Sequence, residues 1–166
     1  MIRSTGVFLD TSTFTAMFVV KYRDRMQDGI LKLRDVAEGE DNAEDLPILR
    51  EWRAARNLLS RFKTAAMPFL NGEPAELGKV WIETLPGMCG TPWTIEEDDY
   101  AQAHLRTRIA LLVAPNAFSH SGGYRELLGV GVVNLVDHRT LCSEINLSTH
   151  PRTHLIIDVK APEVEP

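Results

Sequence analysis

The segment LPILREWRAARNLLSRFKTAAMPFL, residues 46–70, has the strongest periodicity in the sequence. Its apolar residues recur at steps of three and four, which is the spacing of one face of an α-helix. Asp45 and Pro47 suit the N-cap and first turn of a helix, and Asn71 with Gly72 suits its end. We therefore predict one long amphipathic helix over about residues 46–70. Its apolar face comprises Ile48, Trp52, Ala55, Leu59, Phe62, Ala66, Phe69 and Leu70.

The opposite face of this helix is basic, although the whole chain has a formal net charge of −5. An acidic loop lies further along the chain. Opposite charges on two surfaces of one chain favour attraction between its copies, whereas a merely solvated helix face is the alternative. We predict a protein–protein interface formed by Arg50, Arg53, Arg56, Arg61, Glu96, Glu97, Asp98 and Asp99.

Length and composition indicate an ordinary soluble protein. The chain has 166 residues, of which 44% are hydrophobic and 25% charged. This predicts a single globular domain over residues 1–160, followed by an acidic, proline-rich tail at residues 161–166. The two cysteines, Cys89 and Cys142, indicate a reducing compartment rather than a disulfide framework. No apolar run is long enough for a signal peptide or a membrane span, so we expect a cytoplasmic location and no membrane partner.

Two segments near the N-terminus allow different interpretations. From Phe14 to Tyr22, aromatic and β-branched residues alternate with other residues, which predicts a strand within a hairpin. However, Phe14, Phe18 and Tyr22 also recur every four residues, as they would in a helix. Residues 28–37 are predicted to form a short helix.

The second half of the chain is predicted to form mainly β-strands. Strands are predicted at residues 80–85 and 100–113, and the capping-box pattern from Thr94 to Glu97 is taken as a chance match. Residues 124–136 are apolar but contain Gly129 and Gly131; a buried helix is favoured, with a core strand as the alternative. A closing strand is predicted from Leu155 to Val159.

These elements predict an α+β fold. It consists of a mainly antiparallel or mixed β-sheet, the long helix of residues 46–70 packed on one face, and one or two further helices. Fold class alone does not determine function.

One group of residues resembles a metal-binding pattern. His138, Cys142, His150 and His154 follow the spacing H-x3-C-x7-H-x3-H, and imidazole and thiolate are ligands of zinc. Pro151 keeps the last two histidines off a common helix face, and the pattern contains a single cysteine. We therefore predict no metal site and no cofactor, with zinc as the alternative. Ser119 and His120 are adjacent in sequence, which is not evidence for a catalytic triad, and no catalytic residue is predicted.

The absence of a catalytic signature favours a non-enzymatic structural or assembly protein. It would bind copies of itself or other protein subunits, for example in a virus or phage particle, where it would then be located. Nucleic acid is not favoured as a partner because the chain is acidic and its aromatic residues do not interleave with basic ones. Two alternatives remain open: a small metal-dependent hydrolase with a His/Cys site, and a monomeric inhibitor or adaptor that binds one foreign protein.

Overall fold

The computed structural model describes residues 2–22, 30–35, 44–45, 52–112, 117–121, 124–127 and 129–162. This part of the chain forms two β-sheets and a few helices. The strands are β1 (Ile2–Phe8), β2 (Ile30–Asp35), β3 (Glu44–Asp45), β4 (Leu77–Leu85), β5 (Cys89–Gly90), β6 (His104–Leu112), β7 (Ala117–Ser121), β8 (Tyr124–Leu127), β9 (Val132–Val136), β10 (Cys142–Asn146) and β11 (Arg152–Lys160). The helices are α1 (Ser12–Tyr22), α2 (Arg53–Ala65) and α3 (Asp99–Ala103), and a 3-10 turn spans Met67–Phe69.

The strands are divided between a large and a small sheet. The large sheet has the order β1-β9-β6-β11-β4-β2-β3, and the small sheet has the order β5-β10-β7-β8. Neighbouring strands within both sheets are antiparallel. From β4 onward the chain passes repeatedly between the two sheets, which is the arrangement of a double-sheet jelly roll. The predicted class is confirmed in its coarse form, as antiparallel sheet with a few helices, but β-structure predominates.

The helices cover one face of the large sheet. On the central strand β11, Leu155, Ile157 and Val159 lie on this face, and all three are fully buried or nearly so. They belong to one hydrophobic cluster with side chains of α1, α2 and the neighbouring strands, including Phe14, Phe18, Leu58, Phe62, Val80, Ile82 and Ile109. Burial of this apolar surface is the main favourable term in folding.

The predicted strand from Phe14 to Tyr22 is wrong, because this segment is helix α1. Phe14 and Phe18, spaced four apart, stack with their ring centroids 5.8 Å apart, and Phe14 meets Trp52 edge-on at 6.3 Å. The alternative i, i+4 pattern was therefore the correct one. Packing against α2 outweighs the strand preference of the threonine and valine residues in this segment.

The predicted helix over residues 46–70 is also corrected, since α2 has only 13 residues. It ends at Ala65 and passes into the 3-10 turn that contains Pro68. Residues 46–51 lie outside the described part of the chain. Within that part, no helix is long and apolar enough to cross a membrane.

The sheets correct two further predictions, the helix at residues 28–37 and the buried helix at residues 124–136. Residues 30–35 form strand β2 rather than a helix, and residues 124–136 contain the strands β8 and β9 rather than one buried helix. Gly131 adopts a φ of 77°, and a Cβ there would approach the carbonyl oxygen of Leu9 to 2.6 Å, so the chain turns at this glycine.

The predicted strand at residues 100–113 begins later, at His104, because Asp98 caps the short helix α3 before it. The closing strand is confirmed and runs from Arg152 to Lys160. Residues 163–166 of the predicted tail lie outside the described residues.

Candidate functional site between the two sheets

The second face of the large sheet is turned toward the small sheet and is polar. Because side chains alternate along a strand, Arg152, His154 and Asp158 of β11 lie on this inner face, opposite to Leu155 and Ile157. The register places Arg106 opposite Asp158, and Ala110 and Glu83 opposite His154. The most polar part of the interior therefore comes from the middle of the sheet.

Arg106 is held by two carboxylates. It donates hydrogen bonds to Asp158 at 2.9 and 3.1 Å and to Glu96 at 2.5 and 3.1 Å. Its guanidinium carbon also lies 4.8 Å from the centre of the Trp81 ring. Burial opposes the charge of Arg106, but the hydrogen bonds and charges of Asp158 and Glu96 outweigh it and raise the pKa of Arg106 above its ordinary value. Such paired, charge-assisted contacts fix the arginine in one orientation.

A second ion cluster joins the two sheets. Glu144, on β10 of the small sheet, contacts the guanidinium groups of both Arg108 and Arg152 of the large sheet. All three residues are at least nine-tenths buried. Glu83 lies 4.0 Å from Arg108. Burial lowers the pKa of Arg108, and the charge of Glu83 acts in the opposite direction.

These ion clusters border a pocket of about 260 Å³ between the sheets. The large sheet contributes Glu83, Arg106, Arg108 and Val136 to its wall. The opposite wall and the rim consist of Thr91, Thr94, Glu96, His138, Cys142, Ser143 and Glu144. The pocket is small, polar and lined by buried charges.

Two histidines beside these clusters are kept neutral at pH 7. Burial lowers the pKa of His138, as does the nearby Arg106, while Asp158 and Glu96 act in the opposite direction. Burial and the charge of Arg108 lower the pKa of His154 well below its ordinary value. Nδ1 of His138 and Nε2 of His154 are buried without a hydrogen-bond partner among the described residues.

The four candidate zinc ligands do not form a metal site. His138 and Cys142 line the pocket, His154 is buried on β11, and His150 is exposed. The Cys142 thiol donates to the carbonyl oxygens of Asp137 and Thr140, at 3.3 and 3.0 Å. Among the described residues, no group of three or more His, Cys, Asp or Glu side chains is placed to hold a metal ion.

The predicted interface residues lie away from the pocket, except for Glu96. Arg53, Arg56 and Arg61 are exposed on α2, and Arg50 is outside the described part. Glu97, Asp98 and Asp99 are exposed, and Asp98 also accepts a hydrogen bond from the Ala101 backbone N–H at 2.7 Å. The interface stays a prediction for these residues, whereas Glu96 is bound to Arg106 of its own chain.

Sequence reasoning missed the principal charged residues of the pocket. Arg106 and Arg108 fall at alternate positions of the strand predicted at residues 100–113, where polar residues usually face solvent. No sequence pattern indicated that Glu144, Arg152 or Asp158 belongs to a site, because the sequence does not show that a second sheet covers this face.

No protein-family model matches the sequence, and no curated protein matches it by sequence. Solved structures match it by shape. AviO1 from Streptomyces viridochromogenes Tue57 superposes with a TM-score of 0.67 at 15% identity, covering 99% of this chain and 91% of AviO1. The viral collagen prolyl hydroxylase of Paramecium Bursaria Chlorella virus-1, solved with 2OG, gives 0.64 at 8% identity, with coverages of 98% and 96%. An oxidoreductase of the 2OG-Fe(II) oxygenase family from Burkholderia pseudomallei gives 0.61 at 10% identity, with coverages of 81% and 70%.

The chain therefore shares the overall fold of these proteins. This finding overturns the expectation of a non-enzymatic structural or assembly protein, including a virus or phage particle component, because the matching structures include an oxidoreductase and a prolyl hydroxylase. It also corrects the expectation that no cofactor is involved, since these neighbours include a 2OG-Fe(II) oxygenase and a complex with 2OG.

The described residues do not fit an iron centre of the usual kind. Non-haem Fe(II) oxygenases hold iron with two histidines and one carboxylate. Here Glu96 is paired with Arg106, the Cys142 thiol with backbone carbonyls, and no suitable group of three occurs in the described ranges. His120 lies on β7 opposite Ser143 in the register, and its side chain is outside the described part. No chemical step is therefore assigned to iron.

Proposed function

We propose that the chain is an enzyme that binds a small organic substrate in the pocket between the two sheets and transforms it there. The observation that carries this proposal is the pocket itself, with its wall of buried charged side chains. The enzymes that share the oxygenase fold support it. Because these enzymes include an oxidoreductase and a prolyl hydroxylase, oxidation of an organic substrate is the first reaction class to test.

The buried charges of the pocket point to function rather than to stability. Moving ions out of water costs free energy that their mutual attraction often does not recover, and apolar residues of similar volume stabilise a fold at least as well. Ionisable groups with shifted pKa values also concentrate at functional sites. Arg106 and Arg108 have shifted pKa values and share one face of the large sheet with Arg152 and Asp158. Glu144 of the small sheet contacts Arg108 and Arg152 from the opposite side.

The pocket lining suits a small polar ligand. Its volume lies just below the usual range for ligand sites in proteins, which suits a small ligand. Glu83 and Arg108 present charges of opposite sign, and Thr91 and Thr94 present hydroxyl groups. The Thr91 hydroxyl oxygen accepts a hydrogen bond from the Glu144 backbone N–H at 2.9 Å, which leaves its own proton for another acceptor.

His138 lines the pocket and is a candidate to accept a proton from the substrate. Its Nε2 lies 3.2 Å from the carbonyl oxygen of Ala101, and a carbonyl only accepts, so Nε2 carries the proton. The lone pair of the neutral ring is then on Nδ1, which has no partner among the described residues. A neutral imidazole held at a pocket wall is a candidate general base, and we propose this role for His138.

A binding and turnover experiment tests the proposal. Small organic acids, polyols and amino acids would be screened by thermal shift, and 2-oxoglutarate consumption would be measured with added Fe(II). We expect at least one compound class to raise the melting temperature of the wild type. Thr94→Phe, which fills the rim of the pocket, should abolish that rise.

Thr64→Phe provides the matched control, because Thr64 is an exposed threonine on α2 and away from the pocket. This variant should bind like the wild type. Binding that survives Thr94→Phe, or the complete absence of binding and turnover, would overturn the proposal.

A further inference from the structure

A second cavity, of about 230 Å³, lies at the end of the large sheet where strand β6 begins and strand β9 ends. We call it the side pocket. Two of its polar residues, Asp137 and Arg139, pair with each other at 3.0 Å, so their charges are largely satisfied. The rest of its wall offers mainly apolar surface, from Phe69, Leu105, Leu135 and Val136.

The side pocket and the pocket between the sheets have two wall residues in common, Val136 and His138. Val136 is the last residue of β9, is 6% exposed and lies opposite Arg106 in the register. Because side chains alternate along a strand, Leu135 is turned toward the helices and Val136 toward the small sheet. The two cavities therefore meet around the end of β9.

The two cavities differ in chemistry, and each is small. The pocket between the sheets has about 260 Å³ and is lined by buried charges, whereas the side pocket has about 230 Å³ and is mainly apolar. Ligand sites in proteins usually have about 300–1,000 Å³. Either cavity alone lies below that range, but a ligand that occupied both would have a site of ordinary size.

We infer that the two cavities are compartments of one ligand site and that the substrate is amphipathic. Its small polar head binds between the sheets, and a short alkyl or aromatic group binds in the side pocket. Leu105 and Leu135 then determine the specificity for the apolar group, because they limit the space for it. This inference rests on the proposed function, since the head compartment is the pocket of that proposal.

Chain length is the variable that tests this inference. A methylene group that leaves water for an apolar cavity should raise the affinity by about fourfold. The probes are 1,2-propanediol, 1,2-butanediol and 1,2-hexanediol, which share one polar head and differ only in the alkyl chain. Affinity and stoichiometry would be measured by NMR titration. We expect the wild type to bind one molecule of 1,2-hexanediol at least ten times as tightly as 1,2-propanediol.

Leu135→Phe adds bulk to the wall of the side pocket at a partly buried position. It should reduce the affinity for 1,2-hexanediol to that for 1,2-propanediol, and leave the latter unchanged. Leu147→Phe is the matched control, because Leu147 is 54% exposed and lines neither pocket. If Leu135→Phe does not fold, Leu105→Phe replaces it. Thr94→Phe, which blocks the head compartment, should abolish the binding of all three diols.

Three results would overturn the inference. The first is the absence of a chain-length effect in the wild type, which includes the absence of diol binding. The second is a chain-length effect that survives a folded variant with a filled side pocket or is lost equally in Leu147→Phe. The third is 1,2-hexanediol binding that survives Thr94→Phe or involves two molecules, because the cavities would then be separate sites.

Failure of the inference and failure of the proposed function give different results. If small polar compounds bind and Thr94→Phe abolishes their binding, but chain length has no effect, the proposed function stands and the two-compartment site is wrong. If the diols show the expected chain-length effect and neither they nor any other compound is transformed, the two-compartment site stands. That result would count only against the protein being an enzyme.

Discussion

On strand β11, consecutive residues face two different environments. Leu155, Ile157 and Val159 pack against the helices, whereas Arg152, His154 and Asp158 face the small sheet, and all six are buried. The first face is held by contact and by the exclusion of water, so volume is what matters there. The second face is held by paired charges, so the match of donors to acceptors is what matters. One strand thus carries an apolar face packed against the helices and a face of paired charges turned toward the small sheet.

The largest expected effect of a single substitution is on the polar face. Glu144→Ala leaves two buried guanidinium groups without their shared carboxylate and should lower the free energy of unfolding by about 3–5 kcal/mol. Urea unfolding followed by tryptophan fluorescence measures it. Glu96→Ala is the control, because Glu96 is partly exposed and Arg106 retains Asp158; it should cost less than about 1 kcal/mol. Equal costs for the two variants would show that the Glu144 cluster is not tightly coupled.

On the apolar face, the effect should follow volume alone. Leu155→Ala should cost about 3 kcal/mol, since it removes buried methyl groups and leaves a cavity. Leu155→Met keeps the volume and should cost less than about 1.5 kcal/mol. The same unfolding measurement applies. If the methionine variant lost as much stability as the alanine variant, the simple description of this face by volume would be wrong.

Lowering the pH should reduce the stability of the fold through the polar face and not through the apolar face. The expected loss is smaller than that from the substitutions above. The pKa values of His138 and His154 are lowered in the folded protein, so below the unfolded pKa of about 6.5 the unfolded chain binds protons that the folded chain does not. Stability is therefore fully present above that pH and is lost as the pH falls, by up to about 1.4 kcal/mol per pH unit for each histidine.

Replacing His154 separates its contribution to the pH dependence of stability from that of His138. His154→Leu should reduce the slope of stability between pH 7 and pH 5, whereas His150→Gln, at an exposed position, should leave it unchanged. Unfolding curves across this pH range provide the measurement. An unchanged slope in His154→Leu would mean that the buried histidine is protonated at little cost, contrary to its position beside Arg108.

Residue periodicity was sufficient to predict secondary structure where a segment fits only one pattern, that of a helix or that of a strand. The apolar stripe of residues 46–70 predicted a helix, of which α2 is the central part, and the apolar run from Leu155 to Val159 predicted strand β11. It failed for Phe14 to Tyr22, where strand and helix patterns coexist and only the contact with Trp52 selects the helix. It failed again at residues 124–136, where the turn at Gly131 depends on the approach of Leu9.

By itself, the sequence indicated a mainly antiparallel or mixed sheet with a few helices, because residue spacing along a strand or helix is a local property. The tertiary structure alone decided the site. Arg106 and Asp158 are 52 positions apart, and Glu144 meets Arg108 only because the small sheet folds over the large one. A charged residue in an alternating strand normally faces water, so its sequence pattern is the same whether water or a second sheet lies opposite. The chemistry of the pocket arises from that covering.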